Sequence, residues 1–89
     1  NKIENAVIFL HGYGANGKDL IEIGKVWKKN LQNTIFLAPN APFTCPWGGE
    51  SFQWFELTSI SPEKIGEGLQ LAGPYLNEYI DWVCKNYKL

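Results

Sequence analysis

The chain has no methionine. A primary translation product begins with one, so these 89 residues are expected to be a piece of a longer protein. A strand-like run starts within a few residues of Asn1, and a helical pattern is still in progress at Leu89, which strengthens that expectation. Only two cysteines occur, Cys45 and Cys84. Two do not make a disulfide framework, and the default reading is a reduced, cytoplasmic chain. One histidine and two distant cysteines fall short of the four ligands a structural zinc needs, so neither metal nor cofactor is expected. Charge of one sign is also lacking: eight Lys+Arg face nine Asp+Glu, a net −1. That balance implies no basic surface and argues against a nucleic-acid partner. No apolar run nears the roughly 18 residues of a membrane span. Ala6-Val7-Ile8-Phe9-Leu10 is too short for a secretory core and lacks a cleavage-site pattern.

What is present is globular in kind: 45% hydrophobic, 15% aromatic and 19% charged residues. The length allows one small domain. Ala6–Leu10 lacks the alternation of a half-exposed strand and reads as a strand buried on both faces. His11 to Gly17 breaks the pattern with glycines at 12, 14 and 17. A helix is expected from about Lys18 to Leu31. Its apolar stripe is Leu20, Ile23, Trp27 and Leu31, with Val26 alongside. Glu22, Lys25, Lys28 and Lys29 form its solvated side, and the lysines near its end suit the macrodipole. Thr34-Ile35-Phe36-Leu37-Ala38 is a second strand, stopped by Pro39. Strand, helix and strand in this order make one βαβ unit with parallel strands. Residues 40–60 show no period and carry Phe43, Trp47, Phe52, Trp54 and Phe55, the mark of a functional or covering loop. Ser61-Pro62 starts a second helix. Its stripe is Leu69, Ala72, Gly73, Leu76, Ile80, Val83 and Tyr87, with a kink or fresh start expected near 70–74 because of Pro74.

The glycine loop supports two chemistries. Gly12-Tyr13-Gly14-Ala15-Asn16-Gly17 fits G-x-G-x-x-G between a strand and a helix, the setting of a dinucleotide fingerprint. Glycines there let the backbone approach a pyrophosphate at the helix N-terminus. The ribose-binding acid expected some 20 residues on is missing, since after Glu22 the next acidic residue is Glu50. The alternative starts from His11. His-Gly-x-Gly at the end of a buried strand suits a loop that aims a backbone N–H at a developing oxyanion. The glycines Gly12 and Gly14 provide positive φ and keep side chains out of the donor's path. The donor is then the N–H of Tyr13.

Val7-Ile8-Phe9-Leu10-His11-Gly12-Tyr13-Gly14 resembles the V-x-x-L-H-G-x-G start of the phospholipase/carboxylesterase family of α/β-hydrolases, which includes acyl-protein thioesterases. Pro39-Asn40-Ala41-Pro42 is similar to its P-x-A-P segment. Trp54-Phe55-Glu56 is similar to its W-F-D segment, with Glu in place of Asp. Glu67-Gly68 and Ala72-Gly73-Pro74 follow the same pattern. The resemblance runs from Ala6 to about Val83. It implies the N-terminal part of an α/β-hydrolase fold: a parallel βαβ unit, an aromatic loop and a C-terminal helix. Residues 1–89 then form an incomplete domain. It also implies acyl transfer to a serine, on small esters, lysophospholipids or acyl thioesters, once a C-terminal part completes the site. The family's G-F-S-x-G nucleophile turn is absent, as are its later Asp and His.

Tyr13 is the expected oxyanion donor, or else a plain turn residue. Trp54 and Phe55 either wall an acyl pocket or plug the core, and in the hydrolase that the resemblance implies they help form the acyl pocket. His11, Gly12, Gly14 and Gly17 shape the loop, and Asn16, Gly17 and Asp19 shape it and cap the first helix. Trp47, between Pro46 and Gly48-Gly49, suits a mobile lid. Cys45 and Cys84 are expected to be inert. An uncovered sheet edge and apolar face predict a marginally stable piece that self-associates or needs a complementing chain. Without a nucleophile or base the chain alone should be inactive. A fluorophosphonate probe is expected to label no serine of the 89-residue chain; stoichiometric labelling of Ser51, Ser59 or Ser61, read by mass spectrometry, overturns that layout.

Overall fold

The computed structural model describes residues 2–56 and 61–89. Ser59 and the end of the aromatic loop lie outside the described residues. The elements are β1 (Asn5–Ile8), α1 (Gly17–Trp27), β2 (Thr34–Leu37), β3 (Phe43–Thr44), β4 (Phe52–Gln53) and α2 (Pro62–Tyr87). β1 and β2 pair in parallel, with Asn5 opposite Thr34 and Ile8 opposite Leu37. The architecture is α/β, with the βαβ unit that the sequence implies and a long C-terminal helix.

Both strands are shorter and less covered than expected. β1 stops at Ile8, although the Phe9 N–H still donates to Leu37 O at 2.8 Å. Residues 6–8 and all of β2 are half-buried rather than buried. The reason is the size of the sheet. Among the described residues it has two strands, so each strand keeps one unpaired edge.

α1 lies against β2 by glycine rather than by its apolar stripe. Gly17 and Gly24 are its buried residues. They are two helical turns apart and share a face. A Cβ on Gly17 would be driven into the Ala38 carbonyl, and one on Gly24 would stand 2.9 Å from Phe36 Cβ. With no side chain in between, the helix sits close to the strand. Ile23, Trp27 and Leu31 are therefore exposed, and Val26 is 67% exposed, against the sequence expectation. Trp27 still meets the Phe9 ring at 5.5 Å. The helix also ends early. The N–H groups of Asn30 and Leu31 both turn back to Trp27 O, at 2.9 and 3.1 Å, and Asn33 is left-handed. Lys28 and Lys29 thus lie beyond the last turn, which holds Lys25 alone of the three lysines.

The aromatic loop contains a hairpin that the sequence did not reveal. β3 and β4 are antiparallel, with Phe43 opposite Gln53 and Thr44 opposite Phe52. Two-residue strands are too short to show alternation. α2 begins as expected: Ser61 Oγ accepts from the Lys64 N–H at 3.3 Å, and Pro62 opens the helix. At about 1.5 Å per residue, its 26 residues account for most of the 46 Å long axis. The helix runs on through Pro74 without the expected fresh start. Pro74 offers no N–H to the Gln70 carbonyl, but packing holds the helix on both sides of it. Upstream, Gly68 lies under the Phe55 ring, and Ala72 is buried. Downstream, Tyr75 meets Phe43 edge-on at 5.5 Å, and Val83 is 1% exposed. Leu69 and Ile80 of the predicted stripe face outward. Among the described residues no helix is long and apolar enough to cross a membrane.

The glycine contact predicts opposite outcomes for two alanine substitutions. Gly17→Ala should cost about 1–3 kcal/mol, because the Ala38 backbone has to move. Gly66→Ala, in open space on α2, should stabilise by about 0.5–1 kcal/mol. Urea midpoints of the two variants decide it, and an unchanged Gly17→Ala midpoint would remove the close approach from the account.

Candidate functional site

His11 is 4% exposed and uses every polar atom it offers to its neighbours. The Ala41 N–H donates to Nε2 at 2.9 Å. An amide can only donate, so Nε2 carries the lone pair and the proton sits on Nδ1. Nδ1 lies 2.7 Å from Gly12 O and donates to it. The His11 carbonyl accepts from Trp54 Nε1 at 2.9 Å, and the two rings lie 5.6 Å apart. The imidazole has no free nitrogen with which to take a proton from a nucleophile. It joins the end of β1, the segment after β2 and the residue after β4.

Gly12 to Ala15 form a tight turn, closed by the Ala15 N–H donating to Gly12 O at 3.1 Å. Gly14, third in that turn, has φ +81°, the value a type II turn requires there. Gly12 has no positive φ, so the left-handed role expected of both glycines belongs to Gly14 alone. β4 is stitched onto this turn. The Gly14 N–H donates to Phe52 O at 3.0 Å, and the Phe52 N–H to Ala15 O at 2.9 Å. The Gly17 N–H donates to Asn40 Oδ1 at 2.8 Å. Asn40 thus caps α1 across the sheet, a role expected of Asn16. The Asn16 side chain instead donates to Glu50 O at 2.8 Å and makes no cap bond. The sequence offered Asn40 only as part of the Pro39–Pro42 segment, with no sign of its long-range partner.

Among the described residues no acceptor meets the N–H groups of Gly12, Tyr13 and Asn16, while the amides of Gly14, Ala15 and Gly17 are all engaged. Tyr13 is 45% exposed. Its ring meets Trp47 edge-on at 5.7 Å and 84°. Trp47 is 60% exposed, on a segment held by Cys45 N–H to Ser51 O and Gly48 N–H to Cys45 O, at 2.9 and 3.0 Å. The engaged amides also bear on the dinucleotide alternative, because a pyrophosphate finds them already satisfied. The cavity at the α1 N-terminus, lined by Asn16, Lys18, Asn40, Glu50 and Phe52, measures about 60 Å³.

Trp54 and Phe55 go to different places. Trp54 lines a cavity of about 150 Å³ with Tyr75, Leu76 and Tyr79. Burial, then the neighbouring Tyr87, raise the Tyr79 phenol above its ordinary range. Phe55 covers Gly68 and lines a cavity of about 490 Å³ with Phe43, Gln53, Lys64 and Leu71. Tyr13 lines neither. Cys45 is buried and Cys84 half-buried, both as free thiols. No group of three or more His, Cys, Asp or Glu that could hold a metal occurs among the described residues.

The chain matches known proteins over nearly its whole length. The sequence profile of the Phospholipase/Carboxylesterase family matches residues 1–87. The crystal structure of esterase PE8 is similar at a TM-score of 0.85 and 31% identity, over 99% of this chain and 41% of the esterase. The 89 residues thus span less than half the length of that esterase. By this profile and this fold, the chain belongs to the phospholipase/carboxylesterase family of α/β-hydrolases and corresponds to its N-terminal part.

Proposed function

We propose that this chain supplies half of the oxyanion site of a serine hydrolase acting on carboxylic esters, lysophospholipids or acyl thioesters. Residues 1–89 are, in this reading, an incomplete α/β-hydrolase domain. The nucleophilic serine, its histidine base and its acid lie outside them. The observation that carries the reading is the unengaged Tyr13 N–H, second in the Gly12–Ala15 turn that follows β1, in a chain matched by the family profile over residues 1–87.

In acyl transfer, the serine oxygen attacks the ester carbonyl and negative charge develops on the carbonyl oxygen. A donor already aimed at that oxygen stabilises the tetrahedral intermediate without reorganising. Tyr13 N–H is one such donor, and the N–H following the serine is the second. Water then releases the acyl group. His11 positions the loop and transfers no proton. Trp54 and Phe55, left open above between pocket wall and plug, serve here as packing. Trp54 ties the hairpin to His11, and Phe55 ties it to α2. The free edge of β1 and the exposed Val26 and Trp82 take the remaining hydrolase sheet and helices. Expressed alone, the 89 residues self-associate or pair with a complementing chain.

The test is a single polypeptide in which this chain replaces the matching part of esterase PE8. It should hydrolyse p-nitrophenyl acetate, and the 89-residue chain alone should not. Tyr13→Pro, which deletes the N–H, should lower kcat by about 10²–10³-fold. Tyr13→Phe keeps the amide and should stay within a few-fold of the parent. Equal kinetics for the Pro and Phe variants would show that this amide binds no oxyanion.

A further inference from the structure

Trp47 is costly where it stands. An indole is among the largest apolar side chains, and this one is 60% exposed on a segment closed by two backbone hydrogen bonds. Its position is specified from several sides. Gly48 and Gly49 are both left-handed, at φ +78° and +70°, and shape the turn beyond it. Cys45, two residues before, is 3% exposed and bonded at both backbone ends. Glu50, three residues after, receives Asn16 Nδ2 on its carbonyl and Lys18 Nζ on its carboxylate, at 2.8 and 2.9 Å. The loop that bears the indole is thereby fastened to the loop that bears the Tyr13 amide.

The contacts of the indole lie beside that amide. The benzo edge of Trp47 faces Gly14, with Cζ2 only 3.1 Å from where a Cβ would stand. The Tyr13 ring meets it edge-on at 84°, so two exposed aromatic rings stand together beside the Tyr13–Gly14 backbone. Gly12, on the other side of Tyr13, has nothing within 4 Å of its Cβ position, so that approach is open.

We infer that Trp47 is a specificity-determining residue, whose ring, with that of Tyr13, receives the apolar acyl group of the ester bound at the Tyr13 amide. This rests on the oxyanion reading above. The acyl group is the part to assign to it, for a chemical reason. The alcohol leaves after the first step, while the acyl carbon stays bonded to the carbonyl through both steps. A wall fixed to the oxyanion loop therefore acts longest on the acyl side.

The test uses the completed polypeptide described above, with two ester series. One varies the acyl group from acetyl to hexanoyl and phenylacetyl at constant p-nitrophenol. The other varies the alcohol at constant acetyl. Trp47→Ala should lower the hexanoyl-to-acetyl ratio of kcat/KM by about 10-fold, the scale of a few lost apolar contacts. The loss should fall mainly on KM, and Trp47→Phe should restore most of it. A ratio that stays unchanged overturns the inference, and so does an equal fall for all esters or a shift confined to the alcohol series. In each of those cases a Tyr13→Pro loss still leaves the oxyanion reading standing. If Tyr13→Pro has no more effect than Tyr13→Phe, the oxyanion reading falls and this inference falls with it.

Discussion

One buried imidazole ties together the pieces on which the site depends. His11 accepts from Ala41, donates to Gly12 and presents its own carbonyl to Trp54. These bonds join three stretches of chain far apart in sequence, at about 0.5–1.5 kcal/mol each. Their value is more geometric than energetic. A buried Ala41 N–H without Nε2 would be left unpaired, so the ring stays in one tautomer and one orientation. The Gly12 carbonyl held by Nδ1 is the same carbonyl that closes the turn through Ala15. The direction of the Tyr13 amide is therefore set two residues from a fixed ring.

Around that point some backbone donors are spent and others, those of Gly12, Tyr13 and Asn16, are not. Gly14 gives its N–H to β4, Ala15 to the turn and Gly17 to Asn40, while Tyr13 keeps its own. Buried, such an orphan would cost about 1–3 kcal/mol. On an exposed residue, water meets it at little cost and can be exchanged for an anion. The donors that hold the loop are thus different from those it leaves to solvent.

Much of this was legible in the sequence where the signal is local. The apolar runs before His11 and Pro39, the glycine spacing between them and the Ser61-Pro62 start marked the elements in order. The order of the short segments from Val7 to Pro74 marked the family. What escaped detection depends on distant partners. Asn40 reads as an ordinary residue after a strand, and only the fold shows it reaching Gly17. The β3–β4 hairpin has strands too short for any period. The face of α1 was misjudged because apolar residues were taken as the contact. Glycine, the residue with least to bury, makes the contact through absence of bulk. Pro74 starts no new helix, because packing holds α2 on both sides of it.

The same residues explain why a small interior suffices to shape the loop but not to cover the chain. The buried hydrophobic residues are Ala41, Cys45, Ala72 and Val83, mostly small. Three of them anchor what surrounds the loop: Ala41 at His11, Cys45 at the Trp47 turn and Ala72 beneath the hairpin side of α2. The larger apolar groups, Val26, Leu69 and Trp82 among them, stand outside. A chain near 90 residues hides only about 60–65% of its unfolded surface even when complete, and here close backbone contacts at Gly17, Gly24 and Gly68 replace side-chain interdigitation. Such contacts position segments accurately while burying little area. In this chain, the precision of the glycine turn and the bareness of the outer faces therefore have a common origin, and covering those faces would add stability without having to reshape the turn.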